Sequence, residues 1–211
     1  MAIIAKASGG VKVPILEEGI YTAVCTWLID LGLQHSEKYN KDSQRVMVGL
    51  EIDGEKVEVS GETVPRVMWQ EYTNSLHEKS LLRRDLQAWR GKAFTETELA
   101  GFDLKNILGV PCQVQVIHNK TASGEYANIA AVMAMPRGIE RPKAVSLVYF
   151  DLSEPDTFDE FHKLPEFIRK KISLASNFNS CGLGEYLQKH PGNAPELDLD
   201  VVDDDDDGLP F

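Results

Sequence analysis

Basic and aromatic side chains occur close together at three places in this sequence of 211 residues. Lys and Arg bind phosphate groups, and aromatic rings offer faces on which unpaired bases stack, so these residue types suit a single-stranded nucleic acid. Tyr39 is the best stacking candidate because it lies in a polar segment that has little reason to be buried. The candidate DNA-binding residues are Lys38, Tyr39, Lys41, Arg45, Arg66, Trp69, Tyr72, Lys120 and Tyr126.

The stretch from Arg66 to Tyr72 alternates between the two faces of a predicted strand. We expect Arg66 and Tyr72, which share one face, to be exposed in a binding groove. Trp69, on the other face, fits a buried core as well as it fits a stacking surface. Trp27 and Trp89 lie among apolar neighbours, which favours the core for both.

The sequence contains no motif of a known catalytic or metal site, such as G-x-x-x-x-G-K-[ST] or H-E-x-x-H. Its five histidines are isolated from one another along the chain. Cys25, Cys112 and Cys181 form no C-x-x-C pair, which favours a reducing compartment. We therefore expect no enzymatic activity, no cofactor and no metal. A nucleic-acid-processing enzyme with a metal site assembled from distant carboxylates is the alternative.

Acidic residues are concentrated at the C-terminal end. The chain has 22 Lys and Arg against 33 Asp and Glu, a net charge of −11. Residues 196–211 hold eight of the acidic residues and no basic one, so the objection that an acidic protein repels nucleic acid applies mainly to this end. Five consecutive carboxylates cannot pack into a core, which predicts a disordered tail over residues 190–211. The candidate partner-binding residues are Asp203, Asp204, Asp205, Asp206, Asp207, Leu209, Pro210 and Phe211.

Runs of β-branched and aromatic residues predict two groups of strands with helical segments between them. Asp53-Gly54 predicts the hairpin turn between the second and third strands, and residues 119–125 are expected to form the last hairpin loop. Ser75 to Glu78 and Thr95 to Glu98 each have the form of a helix capping box. The predicted strands are 19–33, 44–52, 55–73 (broken near Gly61), 112–118 and 126–135.

Three strands, a helical insertion and two further strands are the element order of an OB-fold, a five-stranded Greek-key barrel with its helix between strands 3 and 4. Other small β-barrels share this order. OB-folds bind ligands across strands 2 and 3 and the loops that join strands 1–2 and 4–5. The predicted organisation is a flexible lead (1–14), a barrel (15–140), an extension with short helices (141–189) and the acidic tail (190–211).

The acidic run that ends in Leu209-Pro210-Phe211 resembles the C-terminal tip of bacterial and phage single-stranded-DNA-binding proteins. Residues 75–91, SLHEKSLLRRDLQAWRG, and the following LAGFDLKNILGVPC resemble tailed-phage replication proteins with an OB-fold, over about residues 15–140. The resemblance implies sequence-independent binding of single-stranded DNA in phage DNA replication, recombination and repair. It also implies recruitment of replication and recombination proteins, whose apolar pocket takes Phe211 while their basic residues meet the aspartates.

Two interpretations of other features stay open. The basic residues within residues 79–92 are a solvated helix face, an extension of a DNA path or a cradle for the acidic tail. The barrel could also be an OB-fold protein-interaction module that binds protein rather than DNA. No apolar run approaches the ~20 residues of a membrane span, and no secretory signal is recognisable. We therefore expect no membrane partner and a cytoplasmic location, which the phage resemblance implies is that of a bacterial host cell. An oligomer is possible.

Overall fold

The computed structural model describes residues 14–59, 61–122 and 124–191, and the chain is mainly β with several short helices. Nearly all of the predicted lead and the acidic tail lie outside these residues. The strands are β1 Gly19–Ser36, β2 Lys41–Val59, β3 Glu62–Thr73, β4 Pro111–Thr121, β5 Gly124–Met133 and β6 Val148–Phe150. The α-helices are α1 Leu81–Arg90, α2 Glu96–Ala100, α3 Glu166–Ser173 and α4 Leu183–Lys189, and the 3-10 segments are Leu104–Ile107, Pro155–Lys163 and Phe178–Ser180.

The chain divides into two units, and strands β1 and β2 contribute residues to both. Among the described residues, the first unit contains 14–29 and 46–149, and the second contains 30–45 and 150–191. Helices α1 and α2 belong to the first unit, and α3 and α4 belong to the second. No helix within the described part of the chain is long and apolar enough to cross a membrane.

The main sheet is antiparallel and curled, with the strand order β3-β2-β1-β4-β5. Strand β1 pairs with β4 from Gly19 opposite Val116 to Val24 opposite Pro111. Strand β6 pairs with β1 outside this path. The two outermost strands, β3 and β5, also contact each other, so the sheet curves round far enough to bring its edges together.

The core of the first unit lies on one face of this sheet, because side chains of a strand alternate between its faces. On β2 the inward side chains are Val46, Val48, Leu50 and Ile52, as the sequence predicts. Helix α1 covers this core with Leu82, Leu86 and Trp89. We call the opposite surface of β1, β2 and β3 the outer face.

Several local signals were confirmed and others were wrong. The Thr95–Glu98 capping box is present, and α1 ends at Gly91 with a left-handed φ of 66°. The N-cap of α1 is Ser80 rather than Ser75, since the Ser80 hydroxyl accepts from the Arg83 N–H. The turn of the last hairpin is shorter than predicted, with Thr121 already opposite Gly124.

The predicted turn at Asp53-Gly54 does not form, because β2 continues through it to Val59. Gly54 nevertheless has a left-handed φ of 76°. A positive φ occurs at irregular positions within strands as well as in turns. The Asp-Gly dipeptide alone therefore does not distinguish a turn from a strand that continues. The connection to β3 instead contains Gly61, which has a φ of 85°.

The second unit packs the end of the β1–β2 hairpin against the C-terminal helical segments. The Leu33 N–H donates to Asn177 Oδ1 at 2.8 Å, and the Ser176 N–H donates to the Leu33 carbonyl at 2.8 Å. Gly32 has a φ of 75°, and a Cβ there would lie 2.7 Å from Leu152 Cδ1. The deeply buried side chains of this unit include Leu31, Phe150, Phe161, Ile168, Ile172 and Leu183.

Candidate nucleic-acid interface

Two tryptophans meet on the outer face of the sheet in the first unit. The rings of Trp27 on β1 and Trp69 on β3 are arranged edge to face, with centroids 5.6 Å apart and an interplanar angle of 60°. Both side chains are half-buried, so part of each ring is accessible to solvent. We call Trp27 and Trp69 the tryptophan pair. It offers aromatic surface of the kind on which unpaired bases stack.

Gly49 on β2 makes this arrangement possible. It lies between the inward residues Val48 and Leu50 and therefore faces outward. A Cβ at Gly49 would stand 2.7 Å from Cζ3 of Trp69 and 2.8 Å from Cβ of Trp27. A side chain at this position would have to displace both tryptophans, which is the close approach that an interior strand glycine often marks.

Glu51 and Asp53 follow Gly49 on the same face of β2. The Thr22 hydroxyl donates to Asp53 Oδ2 at 3.2 Å. Burial, together with the nearby charge of Asp53, raises the pKa of the Glu51 carboxyl above its ordinary value of 4.5. The outer face thus passes from aromatic surface at the tryptophan pair to carboxylates further along β2.

The β4–β5 hairpin, also in the first unit, carries Tyr126 on a strand, as predicted, and Lys120 on a strand rather than in the predicted loop. Tyr126 is 46% exposed and lies opposite Asn119. Lys120 Nζ lies 3.6 Å from Glu125 Oε1, and the Lys120 side chain is 78% exposed. A surface ion pair of this kind is weak, so a phosphate group can compete for Lys120.

The turn between β1 and β2, in the second unit, carries the strongest aromatic candidate of the sequence. Tyr39 is 66% exposed, as its polar surroundings predict. Lys38 Nζ lies 5.6 Å from the centroid of the Tyr39 ring, so the aromatic face and a cation are available together. Lys41 is exposed and Arg45 is half-buried. The structure therefore divides the nine predicted residues between its two units.

Tyr72 is a core residue, and the expectation that it is exposed was wrong. It is 4% exposed, and its hydroxyl donates to Asp85 Oδ2 at 3.0 Å. Burial, with Asp85 nearby, raises the pKa of Tyr72 well above its ordinary value. Arg66, on the same face of β3, is half-buried and donates from Nη2 to the Pro14 carbonyl at 2.9 Å. The alternation along β3 was predicted correctly, but its exposed and buried faces were exchanged.

The prediction that Trp27 lies in the core was only partly correct, because its side chain is half-buried. Cys25 and Leu28 both belong to the core cluster, so the regular alternation of β1 is interrupted between them and Trp27 is left on the outer face. Trp89 is buried as predicted, at 7% exposure, and its Nε1 donates to the Pro111 carbonyl at 3.0 Å. The sequence signal that could have found the outer pair is Gly49, a glycine inside an otherwise apolar strand.

Some basic residues of α1 make contacts within the protein. The Arg90 guanidinium lies 4.4 Å from the centroid of Phe94 and 4.9 Å from that of Phe102, and it forms an ion pair with Glu98. Arg84 Nε lies 3.0 Å from Asp85 Oδ1, with 63% of the Arg84 side chain exposed. Arg90 is thus a packing residue, whereas Arg84 still presents charge to solvent.

Comparison with known proteins gave no match: no family model matches the chain, and no curated protein is similar enough to count as a relative. Within the residues that the structure describes, no group of three or more His, Cys, Asp or Glu side chains is placed to hold a metal ion.

Proposed function

We propose that this chain is a single-stranded-DNA-binding protein of the tailed-phage type, with an OB-fold barrel as its body. It binds exposed strands largely without regard to sequence during DNA replication and recombination. Its acidic C-terminal tip, ending in Phe211, recruits replication and recombination proteins. It has no enzymatic activity of its own in this proposal.

The strand order supports an OB-fold body. An OB barrel opened between its third and fifth strands has the order 3-2-1-4-5, which is the order of the sheet in the first unit. The contact between β3 and β5 is the position at which such a barrel closes. The helices α1 and α2 lie between β3 and β4, where an OB-fold carries its helix.

The tryptophan pair is the observation that carries the proposal. It lies on the surface of β1, β2 and β3, and OB-folds bind strands across their second and third strands. Each base stacked on an aromatic ring contributes on the order of 1–3 kcal/mol without requiring a particular base. The partly exposed rings of Trp27 and Trp69 in this place offer a stacking surface to the bases of a bound strand.

The remaining candidates supply charge for the phosphates. Tyr126 with Lys120 lies on the hairpin that joins strands 4 and 5. Tyr39 with Lys38 lies on the turn that joins strands 1 and 2. In OB-folds the connection between strands 4 and 5 borders the ligand groove. Because most of the excess negative charge lies in residues 196–211, the body does not carry a field strong enough to prevent DNA binding.

A gel-shift assay with unlabelled and labelled poly-dT, with and without Mg²⁺, tests the proposal. The expected result is a shifted strand that is never cleaved, with an affinity that falls by roughly 0.7 logarithmic units per logarithmic unit of salt for each phosphate contacted. No shift at low salt would contradict DNA binding and favour a protein-interaction module. Loss of the strand only in the presence of Mg²⁺ would identify a nuclease instead.

A further inference from the structure

A cavity of about 260 Å³ opens on the outer face of the first unit, further along β2 from Gly49. Its walls come from Glu51 and Asp53 of β2, from Pro65 of β3 and from residues 142–145. Residues i and i+2 of a strand lie ~6–7 Å apart on one face, so Glu51 is a single step from the glycine beneath the tryptophan pair. A DNA strand that stacks on the pair and runs along β2 passes the mouth of this cavity.

Glu51 is the carboxylate of the cavity that remains open to a hydrogen-bonding ligand. No described residue donates a hydrogen bond to its carboxylate, whereas Asp53 accepts one from Thr22. Burial and the neighbouring Asp53 already raise the pKa of Glu51. Because this carboxylate is only partly buried, an N–H group that enters the cavity replaces water as its hydrogen-bond donor.

The chemistry of the walls indicates which part of a DNA strand enters. Glu51, Asp53 and Glu55 all line the cavity, and three carboxylates repel a phosphate group. A base is flat, carries N–H donors on its Watson–Crick edge and is uncharged. Lys56 and Lys143 also line the cavity, so that the phosphates on either side of an inserted base meet cations.

We propose that this cavity binds one unpaired base of the strand through N–H groups donated to Glu51. The inference rests on the function proposed above and adds a base preference to it. Guanine is the best ligand because its Watson–Crick edge has two adjacent N–H donors that match the two carboxylate oxygens. Thymine is the poorest, since its single N–H lies between two carbonyl oxygens that face the carboxylate.

Three oligonucleotides of equal length test the preference by equilibrium binding to the full chain: thymine only, thymine with isolated guanines, and the same strand with hypoxanthine in place of guanine. A bidentate contact to a base discriminates by about fivefold or more. The guanine strand should therefore bind at least about fivefold more tightly than the thymine strand. The hypoxanthine strand, which lacks the second N–H donor, should lie between them.

Glu51→Gln and Asp53→Asn form a matched pair, because each removes one negative charge from the same cavity. The charge loss strengthens binding of the thymine strand in both variants. The guanine preference should fall to less than about twofold in Glu51→Gln and persist in Asp53→Asn. Thermal unfolding of both variants shows that the fold is kept.

Equal binding of the three strands by the wild-type protein would overturn the base site while leaving DNA binding intact. A guanine preference that survives in Glu51→Gln would overturn the role of the carboxylate and place the recognition of guanine elsewhere on the protein. Binding of none of the strands would overturn the proposed function and this inference with it.

Discussion

Trp27 and Trp69 meet edge to face on the outer face of the sheet, with ring centroids 5.6 Å apart. They belong to β1 and β3, which are separated by β2, and they meet because the intervening residue is Gly49. One missing side chain thus creates an aromatic surface that spans three strands. The proposed binding of DNA depends on this surface more than on any single cation.

Gly49→Ala should damage both the fold and the aromatic surface. The new methyl group would lie within 3 Å of both tryptophans, and overpacking of this kind costs about 1–3 kcal/mol in the free energy of unfolding. Denaturant unfolding and binding of a thymine strand measure the two effects. Gly101→Ala is the control, since Gly101 has an extended φ of −179° and open space around its Cα. Unchanged stability and affinity in Gly49→Ala would contradict the proposed packing.

Tyr39→Ala should weaken binding of single-stranded DNA by ~1–3 kcal/mol without lowering the melting temperature. The side chain is 66% exposed, so its loss removes a stacking face and no core packing. Tyr72→Ala provides the contrast, because a side chain at 4% exposure supports the fold. If Tyr39→Ala binds a thymine strand as tightly as the parent does, the turn between β1 and β2 is not part of the interface.

The buried Asp85 should make the stability of the first unit depend on pH. Burial raises the pKa of Asp85 above its ordinary value of 3.8, although Arg84 and Tyr72 act in the opposite direction. The folded state therefore keeps this proton at pH values where the unfolded chain has lost it, and its stabilising contribution is full below pH 3.8 and declines as the pH rises through the raised pKa.

Denaturant unfolding of the wild type and Asp85→Asn across this pH range measures the contribution. The unfolding free energy of the wild type minus that of Asp85→Asn should decrease as the pH rises. A difference that stays constant would show that the pKa of Asp85 is unshifted. A difference that increases with pH would show that Arg84 and Tyr72 outweigh burial.

The C-terminal tip, outside the described residues, should have two separable roles. Deleting residues 203–211 removes five carboxylates that compete with DNA for cations, so strand binding should tighten, most clearly at low salt. Phe211→Ala keeps those carboxylates, and its DNA affinity should stay near the parent value while recruitment of partners falls. Pull-down of replication proteins from a bacterial lysate measures recruitment. Undiminished recruitment by Phe211→Ala would show that the tail serves only as a charged segment that keeps the protein in solution.

Much of the fold was predictable because local patterns set it. The alternation of Val46, Val48, Leu50 and Ile52 predicts one buried face of β2, and the structure has it. Thr95 with Glu98 predicts the start of α2 correctly, since both halves of the capping box form. These signals depend on residues a few positions apart and need no knowledge of the rest of the chain.

The candidate site was less predictable, because exposure depends on which strands lie alongside. Along β3 the polar Arg66, Gln70 and Tyr72 suggest an exposed face, yet Tyr72 belongs to the core cluster and its hydroxyl donates to Asp85 on α1. Trp69 is left partly exposed because its neighbour across β2 is Trp27. Such contacts join residues far apart in sequence, and no local pattern reports them.

The second unit was unpredictable for the same reason. Residues 30–45 read as the end of a hairpin, and nothing in their composition indicates that they group with residues 150–191. The link is made by Leu33 with Asn177 and by the glycine at position 32, which leaves room for Leu152. No local sequence pattern indicates that two surfaces will pack together when they lie more than a hundred residues apart along the chain.

Titration of the full chain with a thymine oligonucleotide, followed by tryptophan fluorescence, tests the central claim most directly. The chain has three tryptophans, and Trp89 is buried at 7% exposure, so quenching by stacked bases should come from Trp27 and Trp69. Trp69→Ala should lose much of the quenching and bind ~1–3 kcal/mol more weakly, while Trp89→Phe should keep both. Full quenching and parental affinity in Trp69→Ala would contradict the account.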